Sequence, residues 1–533
     1  MFDVLIKNGV VVDGTGAARF KGDIAIKEGK IADIAPRIDA EAAEVIDATG
    51  RVVTPGFIDY HSHSDGNFLY GTDSYNYLEQ GVTTQITGHC GTGPVPYYTG
   101  SLDEAKRFLT PERWQEIREI VDNFRSFTDH VKTMQTGTNM AFYAAQGNLR
   151  GRVMDYRPGV PTPEEMKQME ELMDQAMQCG FLGFSTGLVY APSVYAGTDE
   201  LVNIARVAAR YGGSYTSHIR GEGDTVVQSV EEAIEIGRRA NIPVVISHLK
   251  VMGRQNEGTS AKLLEILEKA NAEGLYVRAD QYPFTAGSAP LVSQLPPKYL
   301  TEGIEALMRK LGDKALRERI RHSIYHETDE FESGFYHAGY DGCLIAEAAL
   351  TPEHVGKTIA QLAEEQGVDG LDAACDLLMR NNGFVQGIYF SQNESDMKRI
   401  IAHPYIMAGS DWSDYSEHFD REKVAGGHPR GTGTMARRIE ILRDNNLRTM
   451  EEVIHSMTGL PAEVSRLPGI GVLRTGARAD INILDYDNVR CKADFIHPFR
   501  KNSGIETVLV GGRVAVRDGE ATGVKNGVFL ARP

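Results

Sequence analysis

Short strand-like runs alternate with helical segments through most of this chain, and this alternation restricts the fold more than any other feature. Strands that alternate with helices predict parallel βα units, and eight such units predict a (β/α)8 barrel. The eight runs are 57–60, 83–87, 140–144, 181–185, 214–217, 244–247, 276–280 and 405–409. A ninth run at 386–390 has no clear place in this pattern. Because such barrels need only about 250 residues, a chain of 533 residues must contain further structure.

The two ends of the chain supply part of that structure. Strand-like runs at 3–6 and 23–26 precede the first barrel run, and runs at 479–484 and 508–516 follow the last one. Neither end has enough strands for a stable sheet of its own. We therefore expect the two termini to pair in one small β-sandwich domain.

Domain boundaries follow from these runs. We place the N-terminal part of the sandwich at 1–54, the barrel at 55–465 and the C-terminal part of the sandwich at 466–533. The gap between the seventh and eighth barrel runs is far longer than an ordinary βα connection, so we expect an insertion at about 284–345. Long insertions tend to be functional lids, and we expect this one to cover the barrel mouth. The predicted fold class is α/β: a TIM-like (β/α)8 barrel, a β-sandwich built from both termini, and an insertion late in the barrel.

Charge and composition restrict the partners and the location of the protein. A net charge of −17 repels nucleic acids and anionic membrane surfaces, so neither is an expected partner. The chain has no apolar run long enough to span a membrane and does not start with a secretion signal, which predicts a soluble, cytoplasmic protein. Its five cysteines are scattered and form no CxxC pair, which argues against a disulfide framework. The sequence leaves the oligomeric state open.

Side chains that can bind metals follow several of the predicted barrel strands. His61 and His63 come directly after the first strand, and residues two apart in extended chain project to the same side. Further candidates follow the second, fifth, sixth and eighth strands: Cys90, His218, His248 and Asp411. The carboxyl ends of barrel strands form the face where active sites are built. Thiolate and neutral imidazole are ligands suited to Zn²⁺, and three of them leave a position for water. The pattern predicts a metal-dependent hydrolase.

Seven strings in the chain resemble the N-acyl-D-amino-acid deacylases, or D-aminoacylases, of the amidohydrolase superfamily. The strings are PGFIDYHSH at 55–63, GHCG at 88–91, GFSTGLVY at 183–190, SHIRGEG at 217–223, ISHLK at 246–250, DQYPF at 280–284 and GSD at 409–411. The likeness extends from the first strands to the C-terminal sandwich. It implies zinc-dependent hydrolysis of a small-molecule substrate, an N-acyl-D-amino acid, to a D-amino acid and a carboxylate.

The resemblance also implies a role for each metal-binding candidate. Cys90, His218 and His248 would hold one tightly bound zinc, and His61 and His63 would form an adjacent, weaker subsite. Zinc can lower the pKa of bound water towards roughly 7 and so supply hydroxide at neutral pH. Asp411 would be the general acid/base, taking a proton from that water and delivering it to the departing amine.

Recognition of the substrate carboxylate involves a second group of residues. The resemblance places Tyr190, Lys250 and Tyr282 around it, and we add Arg220 because a guanidinium binds carboxylates in a fork. Arg220 has an alternative role as a structural ion pair with Glu222 or Asp224. His428, in the string GHPRG at 427–431, is either a structural or a catalytic histidine, and the sequence leaves both open.

Two other functions compete with deacylation. Cyclic amidohydrolases related to hydantoinase and dihydroorotase usually bridge two metals with a carbamylated lysine on the fourth strand. The fourth strand here, 181–186, contains no lysine, and Cys90 on the second strand would take its place. A non-catalytic scaffold would be expected to have lost ligands, whereas this chain retains all six. The preferred substrate side chain, the acyl group and the number of metals during turnover stay open.

Overall fold

The computed structural model of the protein describes residues 1–66, 73–99, 106, 109–328, 330–415 and 426–533. The barrel strands are β6 (Phe57–Asp59), β7 (Val82–Thr87), β8 (Asn139–Phe142), β9 (Ala144–Ala145), β10 (Gly183–Gly187), β11 (Ser214–His218), β12 (Val244–Ile246), β13 (Val277–Gln281) and β17 (Ile406–Ala408). β8 and β9 follow each other directly and form one barrel position. All eight predicted runs therefore coincide with strands, which confirms the predicted barrel.

Parallel pairing closes these strands into a ring. β6 pairs with β7, β7 with β8, β9 with β10, and the series continues through β11, β12 and β13 to β17. Between the last and the first strand, the Tyr60 N–H donates to the Ala408 carbonyl at 3.1 Å. Ser62 and Trp412 form a parallel bridge just beyond this contact. The strands are almost completely buried, because side chains fill the interior and helices cover the outside.

Seventeen α-helices lie within the part of the chain that the structure describes. They are α1 (Tyr75–Leu78), α2 (Pro111–Ile120), α3 (Phe124–Val131), α4 (Gln146–Met154), α5 (Pro163–Gln178), α6 (Thr198–Arg210), α7 (Val226–Ala240), α8 (Ser260–Ala272), α9 (Ile304–Lys310), α10 (Lys314–His326), α11 (Gly334–Ala338), α12 (Ile359–Gln366), α13 (Gly370–Arg380), α14 (Glu394–Ile401), α15 (Arg430–Asp444), α16 (Met450–Met457) and α17 (Gly459–Ser465). Among the described residues, no helix has both the length and the apolar composition needed to cross a membrane.

Strands from both termini form one nine-stranded sheet. They are β1 (Phe2–Val11), β2 (Phe20–Lys27), β3 (Lys30–Ala35), β4 (Ala42–Asp47), β5 (Val52–Pro55), β18 (Ile481–Leu484), β19 (Ile505–Val510), β20 (Arg513–Arg517) and β21 (Glu520–Ala521). The order is β21-β20-β19-β18-β5-β1-β2-β3, and β4 also pairs with β1. The antiparallel pair of β5 and β18 joins the two ends, with Val53 opposite Ile483. Both of these residues lie in one apolar core with Ile6, Ile24 and Leu509.

A separate unit lies between β13 and β17. It contains β14 (Gly287–Pro290), β15 (Cys343–Glu347) and β16 (Gln386–Tyr389), with α9 to α13 packed around them. The ninth strand-like run is β16, and it pairs antiparallel with both β14 and β15. The inserted unit therefore extends to about residue 389, well past the expected end at 345. The sequence does not show this boundary, because β16 belongs to the inserted sheet through its pairing with β14, which lies about a hundred positions earlier in the chain.

Gly183, at the start of β10, lies where β10 and β11 approach each other closely. A Cβ built on this residue would lie 1.9 Å from the Ser214 carbonyl oxygen on β11, and its φ is +151°. We expect Gly183→Ala to lower the midpoint of thermal unfolding, because overpacking typically costs about 1–3 kcal/mol and here the obstacle is rigid backbone. Gly312→Ala is the control, since nothing lies within 4 Å of a Cβ there. Equal midpoints in calorimetry for both variants would contradict the close approach.

Candidate metal-dependent active site

The carboxyl ends of five barrel strands bring the predicted metal and acid/base residues together. Two overlapping groups have potential ligand atoms within 4.8 Å of one another: His61, His63, Cys90 and Asp411 in one group, and Cys90, His218 and His248 in the other. His63 is half-buried and the other five side chains are buried. The structure thus assembles all six residues at one face of the barrel.

Cys90 lies at the centre of this arrangement. Its Sγ is 3.4 Å from His61 Nε2 and 3.4 Å from His248 Nε2. Asp411 approaches the same ring nitrogen of His61: its Oδ1 lies 3.1 Å from His63 Nε2 and 3.5 Å from His61 Nε2. One thiol is therefore shared between the two groups, so two adjacent ions could both contact it.

Three of the six residues have a left-handed backbone conformation. The φ angles are +53° at Cys90, +36° at His248 and +54° at Asp411. Such angles are uncommon for residues other than glycine, and they concentrate at functional sites, where the surrounding structure must impose them. Each of the three follows directly or closely after its strand, so the chain turns sharply at the barrel mouth.

The state of the donor atoms fits a bound cation. Burial lowers the pKa of His218 to about 3, so its imidazole is neutral at physiological pH. Its Nδ1 is buried and has no hydrogen-bond partner among the described residues. Burial also raises the pKa of the Cys90 thiol well above its ordinary value, so the thiolate needs a compensating positive charge. One sulfur and two imidazoles, one of them with an unpaired ring nitrogen, match the ligand set of zinc.

Asp280 supports the site and was missed by the sequence analysis. Its Oδ1 lies 3.1 Å from His61 Nδ1 and accepts from the His248 N–H at 2.9 Å. A carboxylate on the second ring nitrogen of a histidine fixes its tautomer and ring orientation. Burial raises the pKa of Asp280 to about 7. The sequence does contain an indication of this role, because Asp280 begins the string DQYPF and belongs to the seventh barrel strand.

Arg430 is a second residue that the sequence analysis missed. It begins α15, and its Nη1 lies 2.7 Å from Asp411 Oδ2. Burial alone would raise the pKa of Asp411, but Arg430 and the nearby histidines outweigh it and hold that pKa well below its usual range. Asp411 is therefore a carboxylate at neutral pH. Arg430 is part of the string GHPRG, two positions after His428, and nothing local in that string indicates a contact with Asp411.

His428 has a structural position. Its Nε2 donates to the Ala286 carbonyl at 2.9 Å, and its Nδ1 accepts from the Arg430 N–H at 3.0 Å. Both ring nitrogens are thus occupied by main-chain groups. Burial holds the pKa of His428 well below its ordinary value, so the ring stays neutral. These contacts fix the start of α15 and place the Arg430 side chain at the site.

A cavity of about 870 Å³ opens over these residues. Three of the four predicted carboxylate-binding residues line it, namely Tyr190, Lys250 and Tyr282, and Arg430 lines it as well. The Arg430 guanidinium lies 4.9 Å and the Lys250 ammonium 5.9 Å from the centre of the Tyr282 ring. Two cations and a phenol therefore converge in the cavity. Residues of the inserted unit, including Glu332 and Tyr389, form part of its wall.

Arg220 is not brought to the cavity with the others, which corrects the role expected for it. Its Nε and Nη2 lie 3.0 Å from the two carboxylate oxygens of Glu232 on α7. Its Nη1 and Nη2 also donate to the carbonyls of Val194 and Ala196, both at 3.1 Å. The guanidinium is thus occupied by structural contacts. Its ion-pair partner is Glu232 on α7, and not Glu222 or Asp224, which precede that helix in the chain.

Comparisons with known proteins agree with this geometry. A model of the amidohydrolase family matches residues 44–516. A D-aminoacylase of Alcaligenes xylosoxydans xylosoxydans is 31% identical over 539 residues, covering 100% of this chain and 98% of the relative. An N-acyl-D-glutamate deacylase of the same organism is 32% identical over 511 residues, covering 96% and 93%.

Solved structures show the same relationship in three dimensions. The crystal structure of N-acyl-D-glutamate deacylase from Bordetella bronchiseptica contains zinc and a phosphonate inhibitor that mimics the tetrahedral intermediate of the reaction. It superposes with a TM-score of 0.82 at 31% identity and covers 99% of each chain. The resemblance inferred from the seven sequence strings is confirmed over the full length of the chain. The protein belongs to the amidohydrolase family.

Proposed function

We propose that this protein is a zinc-dependent deacylase that hydrolyses N-acyl-D-amino acids to a D-amino acid and a carboxylate. The observation that carries the proposal is the convergence of Cys90, His218 and His248 beside Asp411 in a cavity that also presents two cations. Full-length likeness to a D-aminoacylase and to an N-acyl-D-glutamate deacylase supports both the reaction and its stereochemistry.

Cys90, His218 and His248 would hold the tightly bound zinc. His61 and His63 would form a weaker second subsite that shares the Cys90 thiol, which lies 3.4 Å from His61 Nε2. When bound, zinc supplies a Lewis acid that lowers the pKa of a water molecule and polarises the scissile carbonyl. The protein contributes the ligands, their orientation and the cavity above them.

Asp411 acts as the general base and then as the general acid. Its carboxylate is ionised at neutral pH, and Oδ1 lies 3.1 Å from His63 Nε2 and 3.5 Å from His61 Nε2, beside the atoms that would hold the metal. It takes a proton from the attacking water and returns it to the leaving nitrogen, so that the product amine departs as a neutral group. The ion pair with Arg430 fixes the carboxylate during both transfers.

The cations around Tyr282 bind the α-carboxylate of the substrate. Lys250 and Arg430 line the cavity, at 5.9 and 4.9 Å from the centre of this ring, and Tyr190 lines it as well. The guanidinium that can bind the substrate carboxylate is therefore that of Arg430, and not that of Arg220. Fixing the carboxylate orients the scissile amide relative to Asp411.

A substrate panel tests the function directly. Amine release would be measured for matched N-acyl-D-amino acids and N-acyl-L-amino acids, and for cyclic amides such as hydantoins the ring-opened carbamoyl acid would be measured by chromatography. We expect hydrolysis of the D series with a clear excess over the L series. Equal rates for both enantiomers would contradict the stereochemical assignment, and opening of cyclic amides alone would favour the hydantoinase-like reaction.

Loss of Cys90 tests the ligand set. Cys90→Ala removes the one sulfur that lies between the two groups of ligands, so we expect elemental analysis to show loss of most of the zinc together with the activity. Circular dichroism should show the fold retained. Cys491→Ala is the matched control, because that thiol is half-buried and contacts the Ala493 carbonyl away from the site. Unchanged zinc in Cys90→Ala would refute the assignment.

Replacing Asp411 tests the proton transfer. Asn has nearly the same shape but cannot carry a proton, so Asp411→Asn should retain zinc and bind substrate. General acid/base catalysis typically contributes about 10² to 10⁴ in rate. We therefore expect kcat to fall at least about a hundredfold, measured by steady-state kinetics at saturating substrate, at the lower end of that range. Turnover at a tenth or more of the parent rate would mean that another group carries the proton.

Replacing Lys250 tests the carboxylate pocket. A hydrogen bond to a charged group contributes about 1.5–3 kcal/mol, which corresponds to roughly a 10- to 150-fold change in binding. Lys250→Met should therefore raise KM by at least about tenfold and change kcat less. Lys298→Met, on the surface of the inserted unit, is the control. An unchanged KM would remove Lys250 from the pocket.

A further inference from the structure

The carboxylate of Glu222 lies between two of the zinc-ligand candidates and Lys250. Its Oε1 is 2.5 Å from Lys250 Nζ and 3.0 Å from His248 Nδ1. Its Oε2 is 3.8 Å from His218 Nε2. Glu222 is 8% exposed, so water does not replace these contacts freely. One buried carboxylate thus presents a different oxygen to each of the two histidines.

The ring orientations show which nitrogen atoms face Glu222. His248 Nε2 lies 3.4 Å from Cys90 Sγ, so its Nδ1 is the atom turned towards Glu222. In His218 the Nδ1 is the buried atom without a hydrogen-bond partner among the described residues, so its Nε2 is turned towards Glu222. Each histidine therefore directs one nitrogen to the ligand group and the other to the same carboxylate.

A neutral histidine that binds a metal through one nitrogen carries its proton on the other, and that N–H needs an acceptor. Lys250 Nζ lies 2.7 Å from His248 Nδ1, but an ammonium group only donates and cannot serve as this acceptor. Glu222 Oε1 lies within hydrogen-bond distance of His248 Nδ1, whereas Oε2, at 3.8 Å from His218 Nε2, makes an electrostatic contact and not a hydrogen bond. Lys250 instead balances the buried negative charge of Glu222.

Glu222 is itself held in place by the inserted unit. Glu332 Oε2 accepts from the main-chain N–H groups of Glu222 and Gly223, at 2.9 and 2.7 Å. Glu332 Oε1 accepts from the N–H and the hydroxyl of Thr225, both at 2.7 Å. Glu332 therefore holds the main chain of the loop that follows β11, which fixes the position of the Glu222 backbone.

We propose that Glu222 is a positioning residue that fixes the tautomer of His248 by accepting its Nδ1–H, faces His218 Nε2 with its other oxygen, and thereby strengthens zinc binding. The inference rests on the proposed function for the presence of the metal, but it concerns how firmly zinc is held and not which substrate is cleaved. Groups of this kind, one contact away from the metal, typically contribute 10- to 100-fold in metal affinity or activity.

Glu222→Gln is the decisive variant, because the amide keeps the size of the side chain but has only one acceptor oxygen. Whichever histidine meets the amide nitrogen would face an N–H donor instead of an acceptor. We expect the zinc dissociation constant, measured on metal-free protein by competition with a chromophoric chelator, to rise about 10- to 100-fold.

Asp224→Asn is the matched control for this measurement. It removes the same charge from the same loop, but Asp224 accepts from Gln255 and Asn256 and does not contact the histidines. Its zinc affinity should stay within about threefold of the parent, a difference of less than 1 kcal/mol. An affinity of Glu222→Gln that also stays within this limit would overturn the proposal.

Two further variants separate metal positioning from a general loss of folding. Glu222→Gln leaves Lys250 buried without its partner, so the double variant Glu222→Gln, Lys250→Met removes both charges and should fold if the single one does not. Lys250→Met alone keeps the carboxylate and should retain zinc affinity. The double variant should be weakened like Glu222→Gln. Equal zinc affinity in Lys250→Met and the double variant would overturn the role of Glu222.

The outcomes distinguish this inference from the proposed function. A parent protein that binds no zinc would overturn both. A parent that binds zinc and cleaves N-acyl-D-amino acids, with unchanged affinity in Glu222→Gln, would overturn the positioning role alone. Cobalt substitution adds a spectroscopic readout, because a changed histidine geometry should shift the visible absorption of the Co²⁺ form in Glu222→Gln and leave that of Asp224→Asn unchanged.

Discussion

The main-chain ladder between the first and last barrel strands is the contact on which the site depends. The His63 N–H donates to the Trp412 carbonyl at 2.7 Å, and the Asp411 N–H donates to the His61 carbonyl at 2.7 Å. Backbone hydrogen bonds therefore connect the two histidines and the aspartate, although about 350 positions separate them in the chain. The backbone hydrogen bonds that close the barrel therefore also bring His61, His63 and Asp411 together.

Burial imposes the second constraint, because uncompensated charges are expensive in a low-dielectric interior. The site meets this cost by pairing each ionised acid with a cation: Asp411 with Arg430 and Glu222 with Lys250. Burial favours the neutral forms of the Cys90 thiol and of the His61 and His218 imidazoles, because it raises the pKa of the thiol and lowers the pKa of the two rings. Both cations also line the cavity, so the charges that stabilise the two buried carboxylates are the ones proposed to bind substrate.

Local patterns predicted the elements that local interactions form. Strand-like runs that alternate with helical segments predicted all eight barrel strands, and α5 begins with a capping box formed by Thr162 and Glu165, which lie three positions apart. The spacing of His61 and His63 placed both on the same face of the chain. These features depend on residues within a few positions of one another, so a single sequence is enough to recognise them.

Sequence alone therefore determined the barrel, the pairing of the termini, and the histidine, cysteine and aspartate side chains at the strand ends. Only the tertiary structure assigned Arg220 to Glu232 and Arg430 to Asp411, and only it placed β16 in the inserted sheet. The sharp left-handed turns after the strands were equally hidden. Each of these features depends on contacts with groups far away in the chain or on backbone angles that the surrounding packing imposes, and neither leaves a local pattern in the sequence.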